Sequence, residues 1–175
     1  MNKLKKNIFL NSVTLILFAA ILMSGAAWGG AYDEPDPDWE ESGYQIPPMP
    51  DDKSLLPFYA SAVSPNQYLI DVSSISIGKD AVVRYVLVIK SQGGARNVTF
   101  EGIRCATGEY RIYAMGRSNG QWMPTRNDEW QKVPSGDYNR FREALLGEYL
   151  CDGVAPARSR AQVIEMLKGA TWLER

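Results

Sequence analysis

The chain of 175 residues contains no histidine. That removes Ser-His-Asp triads, imidazole general bases and the commonest zinc ligand together. Cysteine is nearly as scarce, with Cys105 and Cys151 alone and no C-x-x-C spacing, which speaks against a redox-active pair. The glycines are scattered, and Gly93-Gly94 lies between two strand-like runs instead of ahead of a helix. Phosphate-loop and dinucleotide fingerprints therefore find no place. A further absence is local: between Tyr32 and Asp52 there is no basic residue at all.

What is present begins with a leader. Lys3, Lys5 and Lys6 precede an apolar run from Ile8 to about Met23, and small residues follow at Ser24 to Ala27 and Gly29 to Ala31. This reads as a signal peptide over residues 1–31, cleaved after Ala27 or Ala31. The alternative is an uncleaved anchor in the inner membrane, since with Trp28 the stretch approaches the roughly 20 residues that span a bilayer. No cysteine lies there to carry a lipid. A periplasmic destination is the expectation, with the membrane involved only through an uncleaved leader.

Charge is divided unevenly along the remainder. The net value of −1 conceals it, because loss of the three leader lysines leaves 16 basic against 20 acidic residues. Eight of the acidic residues (Asp33, Glu34, Asp36, Asp38, Glu40, Glu41, Asp51 and Asp52) fall in one arm, and the body from Lys53 onward is left with 16 basic and 12 acidic. The arm, residues 32–54, carries Pro35, Pro37, Pro47, Pro48 and Pro50, which bar helix and central strand alike. It is expected to be extended and largely solvated, aiding export and solubility, with Trp39, Tyr44 and Ile46 able to touch the body. A sharper possibility is that it folds over the basic face and screens it.

Residues 55–175 suffice for one globular domain. Strand signals dominate its first half: Gln67–Val72, Ser74–Ile77, Val82–Ser91, Arg96–Cys105 and Glu109–Met115, with short edge strands at 121–123 and 129–133. Val83, Tyr85, Leu87 and Ile89 alternate along the third of these, and Gly78-Lys79-Asp80, Gly93-Gly94 and Asn119-Gly120 supply turns. The last third changes period. Asp137 can cap a helix to about Leu150 that lines up Tyr138, Phe141, Leu145 and Tyr149, and Ser159 with Gln162 forms a capping box ahead of Val163, Ile164 and Leu167. The fold class is α+β, an antiparallel β-meander packed against two C-terminal helices. In an oxidising compartment Cys105 and Cys151 are expected to pair, tying strand end to helix end and contributing roughly 4 kcal/mol by loop entropy; free or catalytic thiols are the alternative.

Side chains for chemistry are few. A hairpin centred near Thr107 would set Glu101, Ile103, Cys105, Glu109, Arg111 and Tyr113 on one face, with Glu101 and Arg111 as diagonal ion-pair neighbours. An arginine keeps such a carboxylate ionised, which suits structure or anion binding better than acid catalysis. Arg104, Arg117, Trp122 and Trp130 add an arginine–aromatic surface able to bind by charge and stacking. The candidate ligand-binding residues are thus Glu101, Arg104, Arg111, Tyr113, Arg117, Trp122 and Trp130. No catalytic residue, metal or cofactor is nominated.

The run Tyr68 to Gly78, the triplet Val83-Arg84-Tyr85, the block Glu101-Gly102-Ile103-Arg104-Cys105 through Arg111, and the arm Asp33 to Glu41 resemble the cryptic neisserial protein-like family of β-proteobacteria. Trp122, Trp130 and Tyr149-Leu150-Cys151 fit it too. The resemblance implies an envelope or periplasmic location in a Gram-negative bacterium and carries no activity with it. A fainter likeness is to surface adhesin protein E-like domains, implying a small antiparallel sheet with flanking helix and an adhesive or scaffold role. Two function classes stand side by side. One is a non-catalytic binding module that holds an anionic envelope component or a periplasmic protein, with no role for nucleic acid. The other is a histidine-free hydrolase of envelope glycan working through Glu101 or Glu109.

Overall fold

The structure, a computed structural model, describes residues 36–136 and 140–171, with the backbone alone at 170 and 171. The leader, and Asp137 and Tyr138 of the expected first helix, lie outside the described residues. Six strands run in sequence order as an antiparallel meander: β1 (Leu55–Phe58), β2 (Gln67–Ile77), β3 (Val82–Lys90), β4 (Arg96–Arg104), β5 (Glu109–Gly116) and β6 (Trp122–Pro124). A seventh, β7 (Gln131–Lys132), pairs with the start of β5, and β8 (Cys151–Asp152) with β9 (Ala155–Pro156) forms a separate ribbon. The α+β meander expected from the turn spacing is present. β1 was not legible in advance. It is short, lies at the sheet edge and contains Pro57, which an edge strand tolerates.

Where two short strands were expected before Gly78, one irregular strand runs through. The ladder between β2 and β3 skips between Asp71 and Ser76. There the Asp71 carboxylate accepts hydrogen bonds from the Ser73 amide (2.9 Å) and hydroxyl (2.6 Å), and the Ser74 hydroxyl accepts from the Val86 amide at 2.8 Å. The Asp71 carboxylate and the Ser74 hydroxyl thus satisfy backbone amides that the break would orphan.

β3 divides the molecule into two cores. Val83, Tyr85 and Leu87 point to one face, where Ile103, Leu145, Leu150, Val163 and Leu167 are fully buried against them. That face carries the helix Arg140–Ala144, which passes into a single π-helical stretch, Leu145–Tyr149, and the C-terminal helix Arg160–Thr171. The Ser159 hydroxyl caps the latter by accepting from the Gln162 amide at 3.2 Å. Gln162 reaches back to the amide of Arg158 rather than that of Ser159, a capping box displaced by one residue. The helix continues past Gly169.

Val86, Val88, Val98, Phe100 and Ala114 point to the opposite face and are also buried. An antiparallel sheet can leave one face to water, but these side chains would then expose an apolar surface. The arm covers them. The Cys105–Cys151 disulfide is formed, with Cα atoms 5.7 Å apart, joining the turn after β4 to β8 just beyond the π-helical stretch. No helix of the described residues is long and apolar enough to cross a membrane.

Candidate functional site

The second face is where charge and aromatic side chains converge. Residues 36–52 run across it as an extended strap, and the described residues all fall in one compact unit. Its halves are held differently. Towards β1, Met49 packs on the Val86–Phe100 cluster and the Trp122 indole donates to the Pro47 carbonyl at 2.8 Å. Tyr44 packs against Tyr113 with the rings tilted by 40° and their centroids 4.2 Å apart. The other half, Trp39 to Ser42, is held mainly by polar contacts.

Glu41 is the centre of that half. One carboxylate oxygen accepts from Arg84 at 3.0 Å and from the Tyr113 hydroxyl at 2.6 Å, and the other accepts from Arg111 at 2.5 Å and the Trp130 indole at 3.2 Å. Four donors from β3, β5 and the segment before β7 thus meet on one carboxylate. Two of them are charged, and hydrogen bonds of that kind are about twice as strong as neutral ones. Trp39 lies against the Arg104 guanidinium, 3.7 Å from its ring centroid, and edge-on to Trp130. Its indole donates to the Asp80 carbonyl, and the Ser42 amide donates to the Asp80 carboxylate at 2.9 Å.

Arg84 and Asp80 form the floor. The guanidinium meets both oxygens of Asp80, at 3.2 and 2.6 Å, and lies to one side of the Tyr44–Tyr113 ring pair, 5.5 and 5.7 Å from the two centroids. Burial acts to raise the Asp80 carboxyl pKa, but the hydrogen bonds from Arg84 and from the amides of Ser42 and Val82 outweigh it, and the value falls below its usual range. For Arg84 burial acts to lower the pKa, and the hydrogen bond to Asp80, with Tyr113 and Glu41, reverses the sign and raises it. Burial, then the hydrogen bond to Glu41, pushes the Tyr113 hydroxyl far above the phenol range. It stays a donor. Arg84 and Tyr113 therefore stay protonated and face Glu41 as fixed donors at any ordinary pH.

Two glycines make room for it. A Cβ at Gly102 would sit 2.5 Å from the Tyr113 hydroxyl, and one at Gly116 would sit 2.8 Å from the end of Met49. Side chains there would displace a donor and the strap respectively.

The residues nominated from sequence separate across the sheet. Arg104, Arg111, Tyr113, Trp122 and Trp130 come together on the strap side, and all five touch it. Arg117 lies apart, near the Met123 sulfur in the exposed β5–β6 turn. Glu101 does not pair with Arg111, and the expected shared face is not formed. The turn after β4 has one more residue than assumed, so Gly102 faces Arg111 and Glu101 faces Ile112, and a one-residue slip reverses every side chain. Glu101 points into the helix-side core, fully buried. Arg142 holds both its oxygens (3.0 and 2.8 Å), and Thr99 (2.7 Å) and Tyr85 (3.3 Å) donate as well. For Arg142 burial acts to lower the pKa and Glu101 raises it, with a net rise, while burial and then Glu101 raise Tyr85. A carboxylate so enclosed has no path to a glycan. Glu109 lies on the strap side, 3.9 Å from Arg104 and 3.4 Å from Lys132. Arg111 turns its remaining terminal nitrogen to Asp128 at 3.2 Å.

Four contributors were not nominated: Trp39, Glu41, Asp80 and Arg84. The signal available was Arg84 itself, a charge inside the buried run of β3, whose other charge is the terminal Lys90. Open clefts of about 610 and 640 Å³ lie elsewhere, one beside Glu143 and Glu148, the other between Tyr110 and Met123. Neither is lined by a nominated residue, and neither gathers donors on a common point as the strap site does. Among the described residues no cluster of three or more metal-ligating side chains is present.

Against known proteins, a family model described as the CNP1-like family matches residues 34–168. The chain is also similar to "Cryptic neisserial protein 1" of Neisseria gonorrhoeae (strain ATCC 700825 / FA 1090), 29% identical over 142 residues, covering 72% of this chain and 70% of that protein. No solved structure matches. The match to the family model begins at Glu34 and so takes in the strap together with the sheet and both helices.

Proposed function

This chain belongs to the CNP1-like family, and on that premise we propose that it is an exported, non-catalytic interaction module of the cell envelope. It works in the periplasm after loss of residues 1–31 and holds an anionic envelope component or a periplasmic protein on the strap side of β3–β5. One observation carries this reading: the four donors that converge on Glu41 constitute a built carboxylate receptor. Fixed cations and indole or phenol donors recognise anions without moving a proton. Hydrolysis of a glycosidic bond instead needs a carboxyl group poised beside solvent and able to give one up, and Glu101 is enclosed by Arg142, Tyr85 and Thr99.

The test is capture from detergent-solubilised envelope, using the exported protein purified after expression of the full chain, beside its Glu101→Gln and Arg111→Gln variants. Capture of a defined component that survives Glu101→Gln and is lost with Arg111→Gln is the expected result. Release of soluble glycan from purified envelope, abolished by Glu101→Gln in a variant that remains folded, would overturn the proposal in favour of a hydrolase.

A further inference from the structure

Resting on the interaction-module reading, we propose that the receptor around Arg84, Arg111, Tyr113 and Trp130 recognises a short acidic segment of a partner polypeptide. The segment carries an aromatic residue two positions before a glutamate, and the chain's own Trp39-Glu40-Glu41 holds the place in the free protein. The fit is visible in the present occupant. Glutamate satisfies four donors at once, and the aromatic ring two positions earlier fills the slot between Arg104 and Trp130. Glu40 between them is exposed and makes no described contact, so that position is unrestricted.

Two features suit the receptor to exchange. Arg84 is 3% exposed, and its Nε and that of Arg111 have no hydrogen-bond partner, so the site leaves donor capacity unused by Glu41. A longer or differently angled acidic ligand could use it. The strap is also mechanically divided. Pro47 and Met49 keep the apolar cluster covered through contacts separate from those of Trp39 and Glu41, while Tyr44 shares Tyr113 with Glu41. The first half can leave without uncovering the second core. A tethered segment competes at an effective concentration in the millimolar range, so the free protein is expected to present the receptor only a minor fraction of the time. Apparent affinity for a second acidic segment falls by that fraction.

The probe is a labelled synthetic peptide of residues 36–46 of this chain, titrated by fluorescence anisotropy into the exported protein and into its Glu41→Gln and Trp39→Ala variants. Both substitutions weaken the resident segment and leave the receptor residues intact. The peptide should bind either variant at least about tenfold more tightly than the unaltered protein. Arg111→Gln in the Glu41→Gln background should abolish the gain, as should Glu41→Gln in the peptide itself. Circular dichroism establishes that each variant is folded. Equal or absent binding to the unaltered protein and to both folded variants overturns the proposal. So does self-association of the unaltered protein that Glu41→Gln removes, because the occupant would then be a second copy of this chain. If the peptide fails but Arg111-dependent capture from envelope persists, the interaction-module reading stands and only the acidic-peptide assignment falls.

Discussion

Replacing Arg142 by methionine should destabilise the domain far more than loss of an ordinary ion pair. Glu101 is fully buried and the Arg142 side chain nearly so, at 0% and 10% exposure. Methionine keeps an apolar stem where the guanidinium now lies over Tyr110 and Phe141, 4.2 and 4.7 Å from their centroids, so packing loss is limited. The electrostatic loss is not. Removing one partner of a buried pair strands the other, at about 3–5 kcal/mol. The hydrogen bonds from Thr99 and Tyr85 remain and place the expected cost towards the lower end, about 3 kcal/mol. Set against a total stability of roughly 5–15 kcal/mol, that is a large shift in a urea unfolding curve followed by tryptophan fluorescence with the disulfide intact. Glu101→Gln combined with Arg142→Met removes the stranded charge and should recover at least about half of the loss. A cost below about 1 kcal/mol for Arg142→Met, the range of exposed pairs, would refute the reasoning, as would a double variant no better than the single.

Asp80 makes strap docking acid-sensitive. Its folded pKa lies below the unfolded value of 3.8, so its contribution is present above that value and is lost as pH falls through the folded one. Urea midpoints measured from pH 6 down to pH 2 should fall less steeply for Asp80→Asn than for the unaltered protein. Reducing the disulfide, whose cysteines are 46 residues apart, should lower stability by roughly 4 kcal/mol on the loop-entropy model, read as a shift of the denaturant midpoint. Gly102→Ala should push the Tyr113 ring off Glu41, costing about 1–3 kcal/mol by overpacking. Its signature is a tryptophan emission shift from Trp39 and Trp130. Gly78→Ala should act on the same site from below, because the added methyl would overlap the Asp80 carboxylate and crowd Arg84; loss of protection at the Ser42 amide is the readout.

Local pattern carried the fold and failed at the site for identifiable reasons. The alternation in β3 and the glycine turns were readable because strand period and turn chemistry are properties of neighbouring residues. Arg84 within β3 was visible as an anomaly, but its partners Glu41 and Ser42 lie more than 40 positions away in a segment whose prolines suggested solvent. The pairing of Glu101 was misread through a single turn residue. Counting the β4–β5 turn as Ala106-Thr107-Gly108 places Glu101 beside Arg111, whereas the four-residue turn Cys105 to Gly108 turns it to the other face. The extra residue near Tyr113, where the ladder slips between Phe100 and Glu101, then aims that hydroxyl at the strap. Charge complementarity between arm and body was legible in composition. The donor geometry that makes it specific was not, because it joins four separate parts of the chain.

The central claim is that Glu41 and its neighbours are seated in the receptor in solution. Hydrogen exchange by nuclear magnetic resonance at the Ser42 amide and the Trp39 and Trp130 indoles tests it most directly. The nitrogens that carry those protons lie 2.9, 2.8 and 3.2 Å from Asp80 and Glu41 acceptors. In the unaltered protein they should exchange at least about tenfold more slowly than in an unstructured peptide, and lose that protection in Glu41→Gln while the β3 amides keep theirs. Exchange at the unstructured rate in the unaltered protein, with β3 still protected, would contradict the account.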